Sequence, residues 1–227
     1  KDRISEVRKI NRHPFPNPGK GEFSPLDLSP WEQRRRNRHY HWMGGQPLKH
    51  LSSGPHTFHG VPCVIGEKSI VFRSRFAKTA EGKALPEVLW IPIGQKAREV
   101  YVLQAGGWLT HREVIARYQF ELAQTVIDPV EVWSLGRSEP GESPPERSKV
   151  LISDWHSSGE RFATERVRPV LITEKGDPLR YLRCLYLYRW INPHPEELLK
   201  AMKIHIMNPE LRPTLAVLSV TLRLVED

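Results

Sequence analysis

One stretch limits what this chain can become. In Cys184-Leu185-Tyr186-Leu187-Tyr188-Arg189-Trp190-Ile191-Asn192-Pro193-His194-Pro195, an extended ribbon would put Leu185 and Leu187 on one side and Tyr186, Tyr188 and Trp190 on the other, because side chains alternate along a strand. Bulk on both faces predicts a strand inside a sheet, covered above and below. Asn192-Pro193 and His194-Pro195 stop it, since each proline lacks an N–H donor and turns the residue before it away from helix. A strand so placed holds a loop still at one end of a sandwich, and loops on rigid scaffolds are where recognition usually sits.

The rest of the chain repeats this signature. Alternating or continuous apolar runs predict strands over 23–28, 69–73, 87–93, 97–103, 130–135, 150–152, 167–173, 201–207 and 213–225. Over 113–122, Val114, Ala116, Tyr118 and Phe120 alternate, so strand is favoured over helix. Residues 57–65 read as a strand kinked at Gly60 or Pro62. Ser29-Pro30 opens a short helical turn with Ser29 as cap. Twenty prolines against fifteen glycines argue against long helices. Roughly ten to twelve strands, closely spaced, predict an all-β, two-sheet antiparallel β-sandwich. Residues 1–22, broken by Pro14, Pro16 and Pro18, read as an extended N-terminal arm or linker, and 23–227 as a single sandwich domain. Residues 137–149 read as a polar, proline-rich loop.

The formal charge of +8 is spread along the chain apart from the cluster Arg34-Arg35-Arg36 and Arg38. That spread describes a solvated surface rather than a nucleic-acid interface. No apolar run reaches the ~20 residues that span a bilayer, and the charged start Lys1-Asp2-Arg3 does not read as a signal peptide. Cys63 and Cys184 fit either a disulfide or two buried thiols; two cysteines make no framework, which favours thiols slightly.

Several stretches, taken in order, carry a resemblance. They are Leu26-Asp27-Leu28, Asn37-Arg38, Gly60-Val61-Pro62, Ile91-Pro92-Ile93-Gly94, Lys96-Ala97, Tyr101-Val102-Leu103-Gln104-Ala105 ending in Trp108, Asp154-Trp155, and Tyr186 through Pro195. With them the chain resembles a β-sandwich module of secreted and surface proteins of environmental bacteria, often appended to glycoside hydrolases. The resemblance implies a jelly-roll or galactose-binding-like sandwich, extracellular, cell-surface or periplasmic. It implies a polysaccharide or oligosaccharide partner, and a linked catalytic domain as a second one. The chain departs from the pattern at Cys63, at Gly106-Gly107 before Trp108, and over 137–149.

Sugar recognition needs flat aromatic faces against pyranose C–H bonds and planar polar groups forked onto hydroxyl pairs. Trp42, Trp108 and Trp155 are the candidate faces, and Asn37, Arg38, Asp154 and Asn192 the candidate forks. The opposing expectation is that these tryptophans are buried caps of the sandwich. His39 with His41 and His56 with His59 lack the third ligand a zinc centre requires, so no metal site is assigned. The module reads as cofactor-free, though a structural calcium ion held by loop carbonyls and Asp27 or Asp154 is compatible with it. No catalytic residue is assigned: Asp154, Glu131 and Glu160 are not brought together by spacing, and cysteines in apolar strands are inert. A structural or protein-interaction domain is the alternative reading, and a polysaccharide-active enzyme ranks third.

Overall fold

A computed structural model describes residues 9–16, 21–35, 48, 51–80, 83–135, 150–152, 164–172 and 183–226. Among these, sixteen strands form. They are β1 (Phe23–Pro25), β2 (Arg34–Arg35), β3 (Gly54–Phe58), β4 (Val61–Ile65), β5 (Lys68–Val71), β6 (Thr79–Ala80), β7 (Lys83–Ala84), β8 (Val88–Gln95), β9 (Ala97–Gly107), β10 (Glu113–Leu122), β11 (Val130–Ser134), β12 (Val150–Ile152), β13 (Val167–Ile172), β14 (Arg183–Ile191), β15 (Leu199–Ile206) and β16 (Thr214–Leu224). One 3₁₀ turn spans Ser29–Trp31. The seven-stranded sheet runs β13-β14-β9-β16-β5-β2, with β1 added on β16; the five-stranded sheet runs β12-β11-β10-β15-β8. The chain is therefore an all-β sandwich of two sheets. Its pairings are antiparallel except β11 with β12, which run parallel. No helix among the described residues is long and apolar enough to cross a membrane.

The alternation along β14 decides how the layers stack. Tyr186, Tyr188 and Trp190 enter the core between the two sheets, where Trp190 stacks on Phe120 of β10 at 3.9 Å between centroids. Leu185 and Leu187 enter a second core on the other face of the same sheet. Flanked by β13 and β9, β14 is an interior strand buried on both sides. Strands β9 and β16 divide their side chains the same way, with Val100, Val102, Val220 and Leu222 inward and Tyr101, Leu103, Ala216 and Leu218 outward.

The outward core is covered by a third layer, the hairpin β3–β4 and the chain before it. Here residues 57–65 form two strands, not one kinked strand: Phe58 pairs with Val61 and His59-Gly60 is the turn, both at positive φ (55° and 81°). That geometry is the type I′ turn whose twist matches a hairpin. The described part of the N-terminal segment is docked. Phe15 is buried in the second core. Asn11 completes the edge of β13, accepting from Leu171 N–H at 2.8 Å and donating to Leu171 C=O at 2.7 Å. Cys63 lies in the outward core and Cys184 in the inward one. A sheet separates them, which is why both are free buried thiols. The 3₁₀ turn has no side-chain cap from Ser29; instead Asp27 Oδ1 accepts from Ser29 N–H at 2.9 Å, and this bond holds the Asp27 carboxyl below its usual range.

Candidate functional site

The C-terminal end of β9 lies at one rim of the sandwich. Gly106 packs so tightly that an added Cβ would lie 2.4 Å from Leu109 Cδ1 and 3.1 Å from Ile152 Cδ1. The chain must therefore double back at once, burying Leu109. It does so through Trp108, whose φ of 62° is left-handed, a conformation that bulky residues adopt only when the surroundings enforce it. The reversal keeps the Trp108 ring half-buried at the rim, 4.8 Å from the ring of Phe76 and tilted by 42°. Phe76 is itself 37% exposed. The Arg212 guanidinium lies 5.9 Å from the centre of the Phe76 ring.

Three connections supply these groups, and they are tied together. Ser74 Oγ bonds Thr214 Oγ1 at 2.6 Å and accepts from the N–H groups of Phe76 and Ala77. Arg75 N–H donates to Leu211 C=O at 2.8 Å. Arg73 bridges Glu87 at 2.6 Å and Glu210 at 2.7 Å. Strand β12 ends at this rim too, since Ile152 pairs with Ser134 and touches the Gly106–Leu109 contact. The arrangement presents two aromatic rings and a guanidinium on a pinned framework. Such a set can bind a ring with one apolar face and hydroxyls at its edge.

Trp108 is thus the sequence-predicted residue that sits at this rim. Asn192 lies at the other end of β9: it is buried, its Nδ2 donates to Ala97 C=O at 2.9 Å and its Oδ1 accepts from His194 N–H at 2.9 Å. Ala97 and Gly107 begin and end an eleven-residue strand, so about 30 Å separates the two positions at the usual rise per residue. The Asn192 Oδ1 thus holds its own turn, and its Nδ2 ties that turn to the start of β9. Asn37, Arg38, Trp42, Asp154 and Trp155 lie outside the described residues. Phe76 and Arg212 were not singled out in the sequence, because their contact joins loops far apart in the chain.

His39 and His41 lie outside the described residues, and His56 and His59 each meet other partners. His56 stacks on Phe58 at 5.6 Å and bonds Ser52 C=O at 2.9 Å. His59 is buried, with Nδ1 at 2.7 Å from His13 C=O and Nε2 at 2.8 Å from Pro169 C=O. His194, Glu196 and Glu197 bring ligand-type atoms within 4.8 Å of one another. There, however, Glu197 already accepts from the N–H groups of Gln124 and Thr125 and from the Thr125 hydroxyl, clasping the loop after β10. Those bonds lower its carboxyl pKa. Glu131 is held by Arg117 at 3.3 Å and by Trp133 Nε1 at 3.0 Å. Burial pushes the Cys63 thiol up to about 12, far from a nucleophile at neutral pH. No protein-family model, curated protein or solved structure matches this chain.

Proposed function

We propose that this sandwich is a non-catalytic carbohydrate-binding or carbohydrate-associated module of a secreted or surface bacterial protein, working beside a linked catalytic domain. A jelly-roll or galactose-binding-like order of strands belongs to the same proposal. The observation that carries it is the Trp108–Phe76 pair, two rings left half-open to solvent although the backbone at Trp108 is strained. A connection that served only to join β9 to β10 would favour glycine at φ 62°. Tryptophan there makes sense if its ring is needed, and a pyranose with its C–H face down is the ligand such a ring suits.

The test is a glycan array followed by affinity electrophoresis with the wild type, Trp108→Ala and Trp108→Phe, each checked for folding by its melting curve. Folded wild type should be retained by at least one glycan. Trp108→Ala should weaken retention about tenfold or more, as loss of a central aromatic anchor does, with Trp108→Phe between the two. Retention of no glycan by the folded wild type would remove the proposal.

One observation favours the second reading, a protein-interaction domain. Val88 and Trp90 are 40% and 48% exposed on β8, an edge strand of the five-stranded sheet. Exposed apolar side chains on a strand that pairs on one side only among the described residues suit a neighbouring domain. Trp90→Asp should abolish partner binding under that reading and leave glycan retention unchanged under the first.

A further inference from the structure

We infer that β8 pairs edge to edge with β8 of a second copy of this chain, antiparallel about a two-fold axis at Leu89, so that two five-stranded sheets become one. The inference goes beyond the carbohydrate reading and does not depend on it.

A free sheet edge is a row of unmet N–H and C=O groups, and proteins blunt such edges with brevity, charge or cover. Among the described residues, β13, β2, β12 and β8 are the outer strands of the two sheets. The first three are blunted. Asn11 bonds both backbone groups of Leu171 on β13, β2 has two residues, both arginines, and β12 has three residues. The exception is β8. It has eight residues, Val88-Leu89-Trp90-Ile91-Pro92-Ile93-Gly94-Gln95, none of them charged, in a chain of which 26% is charged. Among the described residues it pairs only with β15, and Val88 and Trp90 stay 40% and 48% exposed.

The backbone sets which groups face the free edge. His205 stands opposite Val88, and Ile206 N–H donates to Glu87 C=O at 2.8 Å. Backbone groups of alternate residues point the same way along an antiparallel strand. Glu87, Leu89 and Ile91 therefore turn toward β15, while Val88, Trp90 and Pro92 turn toward the free edge. Pro92 brings no donor there, and Pro86, before the strand, brings none either. The Pro86 C=O is already taken by Arg73 N–H at 2.9 Å. The two prolines thus bracket the segment that can pair.

Turned on itself about Leu89, this segment is self-complementary, as a two-fold interface must be. Val88 stands opposite Trp90 of the second copy and Trp90 opposite its Val88, and each such pair exchanges both N–H···O=C bonds. No proline is asked for a donor. The register centred on Trp90 instead sets Val88 C=O against Pro92, where no N–H meets it. On the outer face each Trp90 ring meets a valine, an aromatic–β-branched pair that suits neighbouring strands. On the other face the two half-buried Leu89 side chains meet at the axis. The contact covers on the order of a few hundred Å² per copy, mostly tryptophan ring, against ~800 Å² per partner in a standard interface. The pairing is therefore reversible, with a dissociation constant on the order of 100 μM.

The experiment is sedimentation equilibrium of the whole chain from about 5 to 500 μM, which spans that constant, with amide hydrogen exchange followed at both ends of the range. The variants are Trp90→Lys, Val88→Pro and Val64→Lys, each checked for folding by its melting curve. Val88→Pro removes an N–H that β15 does not use. Val64→Lys adds a charge at a valine of β4 that is 48% exposed and controls for repulsion between chains of net charge +8. The weight-average mass should rise toward twice that of the monomer, with exchange at Val88 and Trp90 slowing as it does. Trp90→Lys and Val88→Pro should each weaken association about tenfold or more, and Val64→Lys should behave like wild type. If Val88→Pro does not fold, Trp90→Lys decides.

A wild type that stays monomeric throughout would overturn the inference. So would a dimer in which the Val88 and Trp90 amides exchange as fast as in the monomer, or one that Val64→Lys weakens as much as Trp90→Lys does.

Discussion

Replacing Glu99 by glutamine tests whether the third layer is held by charge or only by shape. Glu99 lies on the outward face of β9 and is 4% exposed. It accepts from the Tyr101 hydroxyl at 2.5 Å and faces the guanidiniums of Arg189 at 3.6 Å and Arg223 at 3.8 Å. Arg189 sits 5.1 Å from the centre of the Phe15 ring, and Arg223 sits 4.6 Å from that of Phe23. The Nε atoms of Arg168, Arg189 and Arg223 have no partner among the described residues, so the cluster has little to fall back on. Glutamine is isosteric and can still accept from Tyr101, so the substitution removes the charge and little else. Stranding buried charges by deleting one partner costs about 3–5 kcal/mol. Arg189 also donates to Pro16 C=O at 2.8 Å, which places the expectation at the low end, about 3 kcal/mol. With a urea slope of about 2–3 kcal/mol per molar, the midpoint followed by tryptophan fluorescence should fall by roughly 1 M. Limited proteolysis should then cut first within the N-terminal segment, because Phe15 and Pro16 lose their anchor. Glu131→Gln, whose pair with Arg117 is far more exposed, should cost under about 1 kcal/mol. A Glu99→Gln midpoint within about 0.3 M of wild type, on the same slope, would refute the reasoning: the layer would then be held by apolar packing alone.

His59 should make stability fall on acidification. Burial, the largest cause, lowers its pKa below the ordinary 6.5, with the carbonyls of His13 and Pro169 pulling the other way and the charges of Arg168 and His13 adding to burial. The unfolded chain therefore binds this proton before the folded one does. Its contribution is fully present above about pH 7.5, drains away as pH drops through 6.5, and levels off below the folded value. Urea midpoints between pH 8 and pH 5 should show a shallower decline in His59→Asn, and an unchanged decline would count against the reading. Neither cysteine should react with Ellman's reagent in the native protein, Cys63 because burial pushes its thiol up to about 12 and Cys184 because it is buried between the sheets; both should react in urea, and fast native labelling of either would contradict the layering.

The strands with bulk on both faces were readable because burial on two sides leaves its mark in composition. β14, β9 and β16 all show it, and each sits inside the seven-stranded sheet. The hairpin β3–β4 was not readable. Its turn, His59-Gly60, lacks the Asn-Gly or Asp-Gly that usually announces a type I′ turn, and His59 takes its positive φ here with its ring set between the carbonyls of His13 and Pro169. Asn192 was read as a loop fork because Asn-Pro marks a turn. The chemistry that makes asparagine a good turn residue, bonding to nearby backbone, is what its Oδ1 is used for, while its Nδ2 reaches across to Ala97 of β9. Trp108 was singled out in the sequence as a candidate ring despite the departure at Gly106-Gly107, and the structure places it at the rim. Phe76 and Arg212 were not, since no local pattern announces a contact between distant loops.

These layers constrain where recognition can occur. With cores on both faces, β9 is a rigid bar, and the residues at its two ends cannot approach one another. Under the proposed carbohydrate reading, a ligand stacked on Trp108 finds its other contacts among the loops that share the rim, where the Phe76 ring lies 4.8 Å from that of Trp108 and the Arg212 guanidinium lies 5.9 Å from the centre of the Phe76 ring. The framework under those loops is fixed by Arg73, which bridges Glu87 and Glu210.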